Sequence, residues 1–498
     1  MAGAQIYEDT KVKRVEIDKG VIKGVETSQG YISCGVVIAC CGQWTRDFAK
    51  RAGVNVPLVS VEHQYMVTEP IAGVSPNMPT LRDPDRLTYY KEEVGGLVMG
   101  GYEPNPIMWA KNGIPKGFHY QLLDSNFDHF EPIMEQALGR VPALQTAGIK
   151  TLTNGPESFT PDGNFILGEA PELKNFYVGA GFNAYGIAAG GGAGMALAEW
   201  VANGGPPYDL WAVDIRRFGQ PHFDTDWVRA RTYEAYGKHY TMAWPAEEHD
   251  SGRPCRKSPL YETLKADGAV FGEKLGWERP NWYADTDLGE VLHDIYTFER
   301  PNWHAAVGRE HNAARGAAVL FDQTSFGKFV LKGPDAEAAL NWIAANDMSK
   351  PVGSLIYTQM LNDQGGIECD LTCVRIAEDE YYIITGTGFV THDFDHISRN
   401  IPVGMHAQLV DVTSAYAVLS LFGPNARLIL QEITGDDISN DALPFGAAKT
   451  IGIAGCPVRA LRVSYVGELG WELHLPVEYV VTVYEAIHRA GAAHGLRN

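Results

Sequence analysis

The chain has little cysteine, no long apolar run and no excess of positive charge. Its seven cysteines, at positions 34, 40, 41, 255, 369, 373 and 456 of 498, are odd in number and thinly spread. That excludes a disulfide framework and makes a reducing compartment the default. Cys369 and Cys373 lie four apart in a predicted strand, so they share a face without making a metal-type CxxC, and a buried apolar role is expected. No segment approaches the ~20 apolar residues needed to span a membrane. The opening MAGAQIYEDTKVKRVE has neither the apolar core of a signal peptide nor the arginines of a transit sequence. With 41 Lys and Arg against 61 Asp and Glu, the net charge of −20 argues against a nucleic-acid partner, which needs a basic face.

What is present is ordinary for a globular protein: 45% apolar and 20% charged residues, at a length that suggests about three domains. Thr10 to Glu26 reads as two strands, KVKRVEID and VIKGVET, joined through Lys19-Gly20. Gly35 to Ala39 (GVVIA) is a continuous apolar run, as expected of a parallel strand buried on both faces. It leads through Cys41-Gly42-Gln43-Trp44 into an amphipathic helix with Phe48 inward. VEHQYMVTEP alternates like a strand and puts His63 and Tyr65 on one face. Asn154 to Trp200 is the most informative stretch. There a short strand, Phe176 to Val178, enters the glycine-rich turn Gly179-Ala180-Gly181, and a small-residue run, Gly190 to Gly194, lies in a predicted helix ending near Trp200. Glycines where strand meets helix let a backbone approach a ligand closely, and a helix start offers N–H groups and a positive dipole end to an anion. On the glycines alone, a tightly packed strand–helix corner is the simpler reading.

The order Gly155-Pro156-Glu157-Ser158 to Asp162-Gly163, followed by that glycine-rich element, resembles the C-terminal FAD motif of the glycine-oxidase and sarcosine-oxidase superfamily. The strand ending at Cys41-Gly42-Gln43-Trp44 is similar to a segment of FAD-dependent amine dehydrogenases that holds the adenine dinucleotide. Val61 to Pro70 and Leu81 to Gly101 resemble the substrate sheet of dimethylglycine dehydrogenases and oxidases. By that resemblance His63 and Tyr89 face the substrate, with Tyr90 on the opposite side of its strand. Read from the residues alone, a histidine and a tyrosine on adjacent strands are an ordinary half-buried hydrogen-bonded pair on a sheet. The resemblance further implies FAD contacts from Val12, Trp44, Gly181, Phe182, Asn183, Tyr185, Gly186 and Ile187. No GxGxxG occurs anywhere, although in this fold those glycines cradle the pyrophosphate. The chain is therefore expected to be cut at both ends, starting inside the FAD domain and stopping after a helix with no further strand.

Gly204-Gly205-Pro206-Pro207 marks an exit from the first part. An aromatic-rich stretch follows in which ERPNW occurs twice, at Glu278–Trp282 and Glu299–Trp303. It is expected to pack between domains and resembles the connector of the dimethylglycine and sarcosine dehydrogenase family. From about His304, two strand–Gly-Pro–helix patterns recur ninety residues apart (Phe329 to Ala336, Leu419 to Ala426), with Pro suited to the first helical turn. They suggest an internally duplicated α+β domain. With Gly365-Gly366-Ile367-Glu368-Cys369-Asp370 and Ser464-Tyr465-Val466-Gly467-Glu468-Leu469-Gly470-Trp471-Glu472, that domain resembles the aminomethyltransferase, or glycine-cleavage T-protein, fold. The resemblance implies tetrahydrofolate contacts from Asp370, Tyr465 and Glu472, with Asp370 beside the nitrogens that accept the one-carbon unit. Glu468, at the turn, is expected to be structural.

The fold expectation is thus α/β and α+β. A partial glycine-oxidase-like FAD domain with an antiparallel substrate sheet (1–207) is followed by a connector (208–303) and a T-protein-like folate domain (304–498). The activity implied is FAD-dependent demethylation of dimethylglycine or sarcosine, with the one-carbon unit passed to tetrahydrofolate within a shared interior, and with His63, Tyr89 and Asp370 catalytic. The alternative is a non-redox folate-binding one-carbon transferase whose oxidase half is a scaffold. The sequence leaves open whether O₂ or an electron-transfer flavoprotein reoxidises the flavin. The implied compartment is a bacterial cytoplasm or the mitochondrial matrix.

Overall fold

Strand-forming runs dominate the first 180 residues, and in the computed structural model, which describes residues 3–498, they build three sheets. β1 (Val12–Asp18), β2 (Val21–Thr27) and β3 (Gly30–Ser33) form an antiparallel meander, turned between β1 and β2 at Lys19-Gly20. β4 (Val37–Ala39) leads into α1 (Thr45–Arg51), which buries Phe48. The substrate-type sheet follows: β5 (Val59–Thr68), β6 (Leu81–Asp83), β7 (Thr88–Glu93), β8 (Gly96–Gly101) and β9 (Met108–Trp109), then α2 (Phe127–Arg140) and β10 (Ile149–Phe159). Its order is β10–β5–β8–β7–β6, with β9 on β5. β11 (Ile166–Glu169) and β12 (Phe176–Ala180) complete a small sheet β11–β12–β4, in which β12 and β4 are parallel.

The expected doubly buried strand is three residues long and lies on the edge of that small sheet. Ile38 is therefore 45% exposed, because no strand covers its outer side among the described residues. α3 (Gly186–Asn203) extends past Trp200 and stops at Gly204 in the left-handed conformation that glycine favours at a helix end. α4 (Thr225–Gly237) then packs its Trp227, Val228 and Tyr236 against Val59, Val61, Tyr102 and Phe159 of the large sheet. These elements make one compact unit, residues 1–243 with 249–252.

The second unit comprises 244–248 and 253–498. α5 (Tyr261–Ala266) precedes the hairpin β13 (Ala269–Lys274) and β14 (Trp277–Tyr283), and α6 (His304–Gly316) follows. Both ERPNW tryptophans, Trp282 and Trp303, meet in one cluster with Val270 and Ala306, so the repeat packs this unit's own interior. A five-stranded sheet holds β16 (Gly327–Lys332), β17 (Leu355–Leu361), β18 (Ile367–Ala377), β19 (Glu380–Thr385) and β20 (Gln408–Asp411). A six-stranded sheet holds β15 (Ala318–Asp322), β21 (Tyr416–Phe422), β22 (Ala448–Ile453), β23 (Cys456–Leu461), β24 (Gly470–Pro476) and β25 (Leu496–Arg497). β25 comes after α10 (Val480–Gly491) and runs parallel to β15, a strand not anticipated from the sequence.

The duplicated pattern is visible as β16 leading to α7 (Ala336–Ile343) and β21 leading to α9 (Ala426–Ile433), one in each sheet. The prolines lie in the turns before these helices. In both turns the glycine is obligatory: Gly333 and Gly423 have φ of 142° and 124°, and a Cβ would collide with the carbonyl oxygens of His406 and Ala317. α8 (Val390–Asn400) covers the five-stranded sheet on the side of Cys369 and Cys373.

Candidate active site

Strand alternation assembles the first site. His63 pairs with Gly155 of β10 across the ladder, and Tyr65 and Tyr89 both pair with Gly100 of β8. His63, Tyr65, Gly100, Tyr89 and Tyr102 therefore share one face. Tyr90 points the other way, into a cluster with Met66, Met99 and Phe130 under α2. Gly100 is needed where it is, because a Cβ there would meet the ring and hydroxyl of Tyr89.

On this face His63 is 8% exposed, with its ring 4.8 Å from Tyr102 and its Nδ1 3.0 Å from the Tyr236 hydroxyl. Burial pulls the His63 pKa below the ordinary imidazole value, against the opposing pull of Glu157 and Glu103. The ring is therefore held neutral at neutral pH and can accept a proton. Burial, reinforced by Tyr240 and Glu157, raises the Tyr89 phenol well above its usual range, so Tyr89 stays a neutral hydrogen-bond donor.

The glycine-rich loop borders this face. β4 and β12 are adjacent parallel strands; Trp44 (41% exposed) follows one and residues 181–187 follow the other. The crevice beyond the carboxyl ends of parallel strands is where such sheets take ligands. Tyr185 donates or accepts a hydrogen bond at 2.9 Å with His239 Nε2, and the His239 ring lies tilted 4.3 Å from that of Tyr102. Loop and sheet face are thus tied through one aromatic cluster. Asn183 is buried and fastens the loop, accepting from the Thr160 N–H and donating to the Gly181 carbonyl. Phe182 stacks on Phe165, and Val12 lies part-buried in the apolar cluster under β4 and β12.

The residues present fit a flavin at the start of α3. The helix has no acidic residue in its first turn and no side-chain cap, so its first N–H groups and dipole are open to an anion. Ile187 is fully exposed, and Cβ atoms built on Gly190, Gly191, Gly192 and Gly194 would meet nothing within 4 Å. These glycines are not those of a tightly packed corner; that role belongs to Gly179 and Gly181, whose added Cβ atoms would strike Leu197 and Thr160.

In the second unit, Asp370 is exposed and accepts from Gln359 at 3.2 Å. Tyr465 is 93% exposed. Glu472 lies 3.3 Å from His474 Nε2, and the Tyr382 hydroxyl lies 3.1 Å from His474 Nδ1. Burial lowers the His474 pKa despite Glu472. Asp370 shares a face of β18 with Val374, which packs against Leu461 between the two sheets, and Leu461 pairs with Glu472. The two carboxylates therefore belong to facing sheet surfaces, although no hydrogen bond joins Asp370, Tyr465 and Glu472 to one another among the described residues. Glu468 pairs with Arg315 at the turn. Cys369, expected to be a simple apolar packer, lies beside buried His392 and Asp393, their polar atoms within 4.8 Å. Both nitrogens of His392 already meet carboxylates, Asp393 at 2.9 Å and Glu368 at 3.2 Å. A cavity of about 650 Å³ near Lys265, Tyr283 and Arg309 contains none of the candidate residues.

Three family models match in succession: FAD dependent oxidoreductase over residues 1–200, FAD dependent oxidoreductase central domain over 203–258, and the GCVT N-terminal domain over 260–498. Together these matches account for nearly the whole chain, which is similar along its length to mitochondrial sarcosine and dimethylglycine dehydrogenases. Human mitochondrial sarcosine dehydrogenase is 41% identical over 540 residues, which take in 100% of this chain and 58% of that protein. The 4-methylaminobutanoate oxidase (formaldehyde-forming) of Paenarthrobacter nicotinovorans is 39% identical, covering 99% and 60%. The mitochondrial pyruvate dehydrogenase phosphatase regulatory subunit of mouse is 35% identical, covering 100% and 57%. The chain thus spans 57–60% of the length of these relatives. No helix among the described residues is long and apolar enough to cross a membrane.

Sequence reasoning missed Tyr102, Glu103, Tyr236 and His239 around His63. Tyr102 was within reach, since it follows β8 in the parity of Gly100. Tyr236 and His239 lie 173 and 176 residues from His63 in an aromatic-rich stretch, and no local pattern connects them to it.

Proposed function

We propose that this protein demethylates an N-methyl amino acid, dimethylglycine or sarcosine, on FAD and transfers the one-carbon unit to tetrahydrofolate. The observation that carries the reading is the buried, neutral His63 on the same sheet face as Tyr89, beside the loop and helix start that fit a flavin. FAD, held by the 181–187 loop and the start of α3, supplies the acceptor for the hydride equivalent leaving the substrate methyl group. His63 takes the proton from the substrate ammonium, because only the free amine pair can drive loss of that hydride. Tyr89, as a neutral phenol, donates to and orients the substrate. Loss of a proton and a hydride leaves a methylene iminium, which the two folate nitrogens convert to methylenetetrahydrofolate and the demethylated amine. Asp370 accepts a proton from the folate amine, and Glu472 accepts hydrogen bonds from the amino edge of the pterin. An electron-transfer flavoprotein as oxidant, and a bacterial cytoplasm or mitochondrial matrix as compartment, complete the proposal.

The test is anaerobic mixing of the flavin-loaded protein with sarcosine, dimethylglycine and 4-methylaminobutanoate, with and without tetrahydrofolate. Bleaching of the flavin and formation of methylenetetrahydrofolate are expected; flavin that stays oxidised with all three amines would sink the reading. The similarity to a regulatory subunit favours one other reading, a non-redox folate-binding transferase on an oxidase-like scaffold. Purified protein that binds folate but shows no flavin absorbance would favour that alternative.

A further inference from the structure

We infer that His63, Tyr236, Glu103 and His129 form a proton relay that sets the His63 tautomer and carries the substrate's proton to the protein surface. This rests on the role of His63 proposed above. Tyr236, in the last turn of α4, is 1% exposed. Its oxygen lies 3.0 Å from His63 Nδ1, and its hydroxyl donates to Glu103 Oε2 at 3.1 Å. The other Glu103 oxygen lies 2.8 Å from His129 Nε2. Glu103 is buried, whereas the His129 side chain is 20% exposed. Four side chains from β5, the segment after β8, α2 and α4 thus make an unbroken line from the buried base to water.

Proton bookkeeping gives the line a direction. A phenol has one hydrogen, and Tyr236 donates it to Glu103. Nδ1 of His63 must then be the donor to Tyr236, which leaves the lone pair on Nε2, as a base on this face requires. When Nε2 takes the amine proton, the ring would become an imidazolium in surroundings that disfavour charge. The Nδ1 proton passes to the Tyr236 oxygen as the Tyr236 proton passes to Glu103, so His63 is neutral again and no phenolate accumulates. The Glu103–His129 pair holds the proton that arrives and releases one to water from the His129 ring. One proton enters at Nε2 and one leaves at His129.

The charges around the line agree with this. His63 is faced by Glu157 of β10, by Glu103 and Tyr102, by Tyr236 of α4 and by the neutral ring of His239 beyond it. The His129 pKa is raised, chiefly by its hydrogen bond to Glu103, against burial and with the charges of Glu103 and Glu62 adding to it. The His63 pKa is lowered, so of the two rings His129 holds a proton more readily and is the natural exit.

The test reads the rings before it reads turnover. In ¹⁵N NMR of the protein without substrate, His63 is expected as the Nδ1–H tautomer. Y236F should abolish that preference, and E103Q should lower the His129 pKa. In anaerobic flavin reduction by an N-methyl amino acid, Y236F should slow the step by roughly 10- to 100-fold. The solvent isotope effect should change from several protons in flight to one, with KM little altered. E103Q provides the same kinetic readout should Y236F fail to fold. A wild type that reduces flavin while both variants keep its rate, pH profile and isotope effect overturns the relay. A wild type that reduces no flavin overturns the reaction reading instead. The rings then decide alone: an Nδ1–H His63 that depends on Tyr236 supports the path, and an Nε2–H His63 overturns it.

Discussion

The two units treat their candidate carboxylates and rings in opposite ways. In the first, His63, Tyr236 and Glu103 are buried and joined by direct hydrogen bonds before any ligand arrives. In the second, Asp370 and Tyr465 face solvent, Asp370 accepting from Gln359, while Glu472 is fastened through His474 and Tyr382. Desolvation tunes proton affinity, so the first arrangement suits a base that must work at once. Exposed groups on two facing sheets suit recognition, in which a bound ligand supplies the missing partners.

If that contrast is right, the largest single effect comes from removing the base. H63Q should slow flavin reduction by roughly 10²–10⁴-fold and leave folate binding untouched; equal loss of both activities would erase the distinction between the units. A smaller and mirrored effect is expected at Glu472. A charged hydrogen bond contributes about 1.5–3 kcal/mol, so E472A should weaken tetrahydrofolate binding on the order of 10- to 100-fold with flavin reduction unchanged. Calorimetric titration beside stopped-flow reduction separates the two, and undiminished folate affinity would remove Glu472 from the site.

These residues were unequally legible in the sequence. Strand alternation, a local rule, put His63 with Tyr65 and set Tyr90 opposite Tyr89, whereas His63 and Tyr89 were joined only by the family resemblance. The ladder positions of Gly155 and Gly100 put all three of His63, Tyr65 and Tyr89 on one face. The two β–Gly-Pro–helix units were legible for the same reason, since Gly333 and Gly423 are required by the backbone itself. Tyr236 was not, because its meeting with His63 depends on how α4 packs across the sheet. Nor was the polar setting of Cys369, which α8 creates by bringing His392 and Asp393 over β18. The edge position of β4 was likewise hidden, since an apolar triplet reads alike at the centre and the edge of a sheet.

A third comparison uses acid. His63 and His239 in the first unit and His474 in the second are all shifted down, mainly by burial; His239 falls to about 4, helped by Arg82. In the unfolded chain each titrates near 6.5. Between those values the unfolded chain binds more protons than the folded one, so stability falls as pH drops below about 6.5 and the loss ends near the folded pKa. With two such rings against one, the first unit should lose more between pH 6.5 and 4. Hydrogen exchange followed in each unit over that window measures it, and a larger loss in the second unit would contradict the burial argument.

The smallest effect separates two kinds of glycine within one element. Gly181 has φ of 65°, and its Cβ would meet Thr160 Cγ2 at 2.6 Å, so G181A should destabilise by about 1–3 kcal/mol. Gly191 sits inside α3 with nothing within 4 Å of its Cβ position. There, alanine should stabilise the flavin-free protein by roughly 0.5–1 kcal/mol, the usual cost of glycine in a helix. A helix that keeps four such glycines forgoes that gain at each, and close approach of a ligand is the physical reason to do so. G191V should therefore fold and yet bind flavin more weakly, as fluorescence titration would show. A flavin affinity unchanged by valine would mean that the open strip of α3 is not where the cofactor approaches, and would leave the helix start alone to hold it.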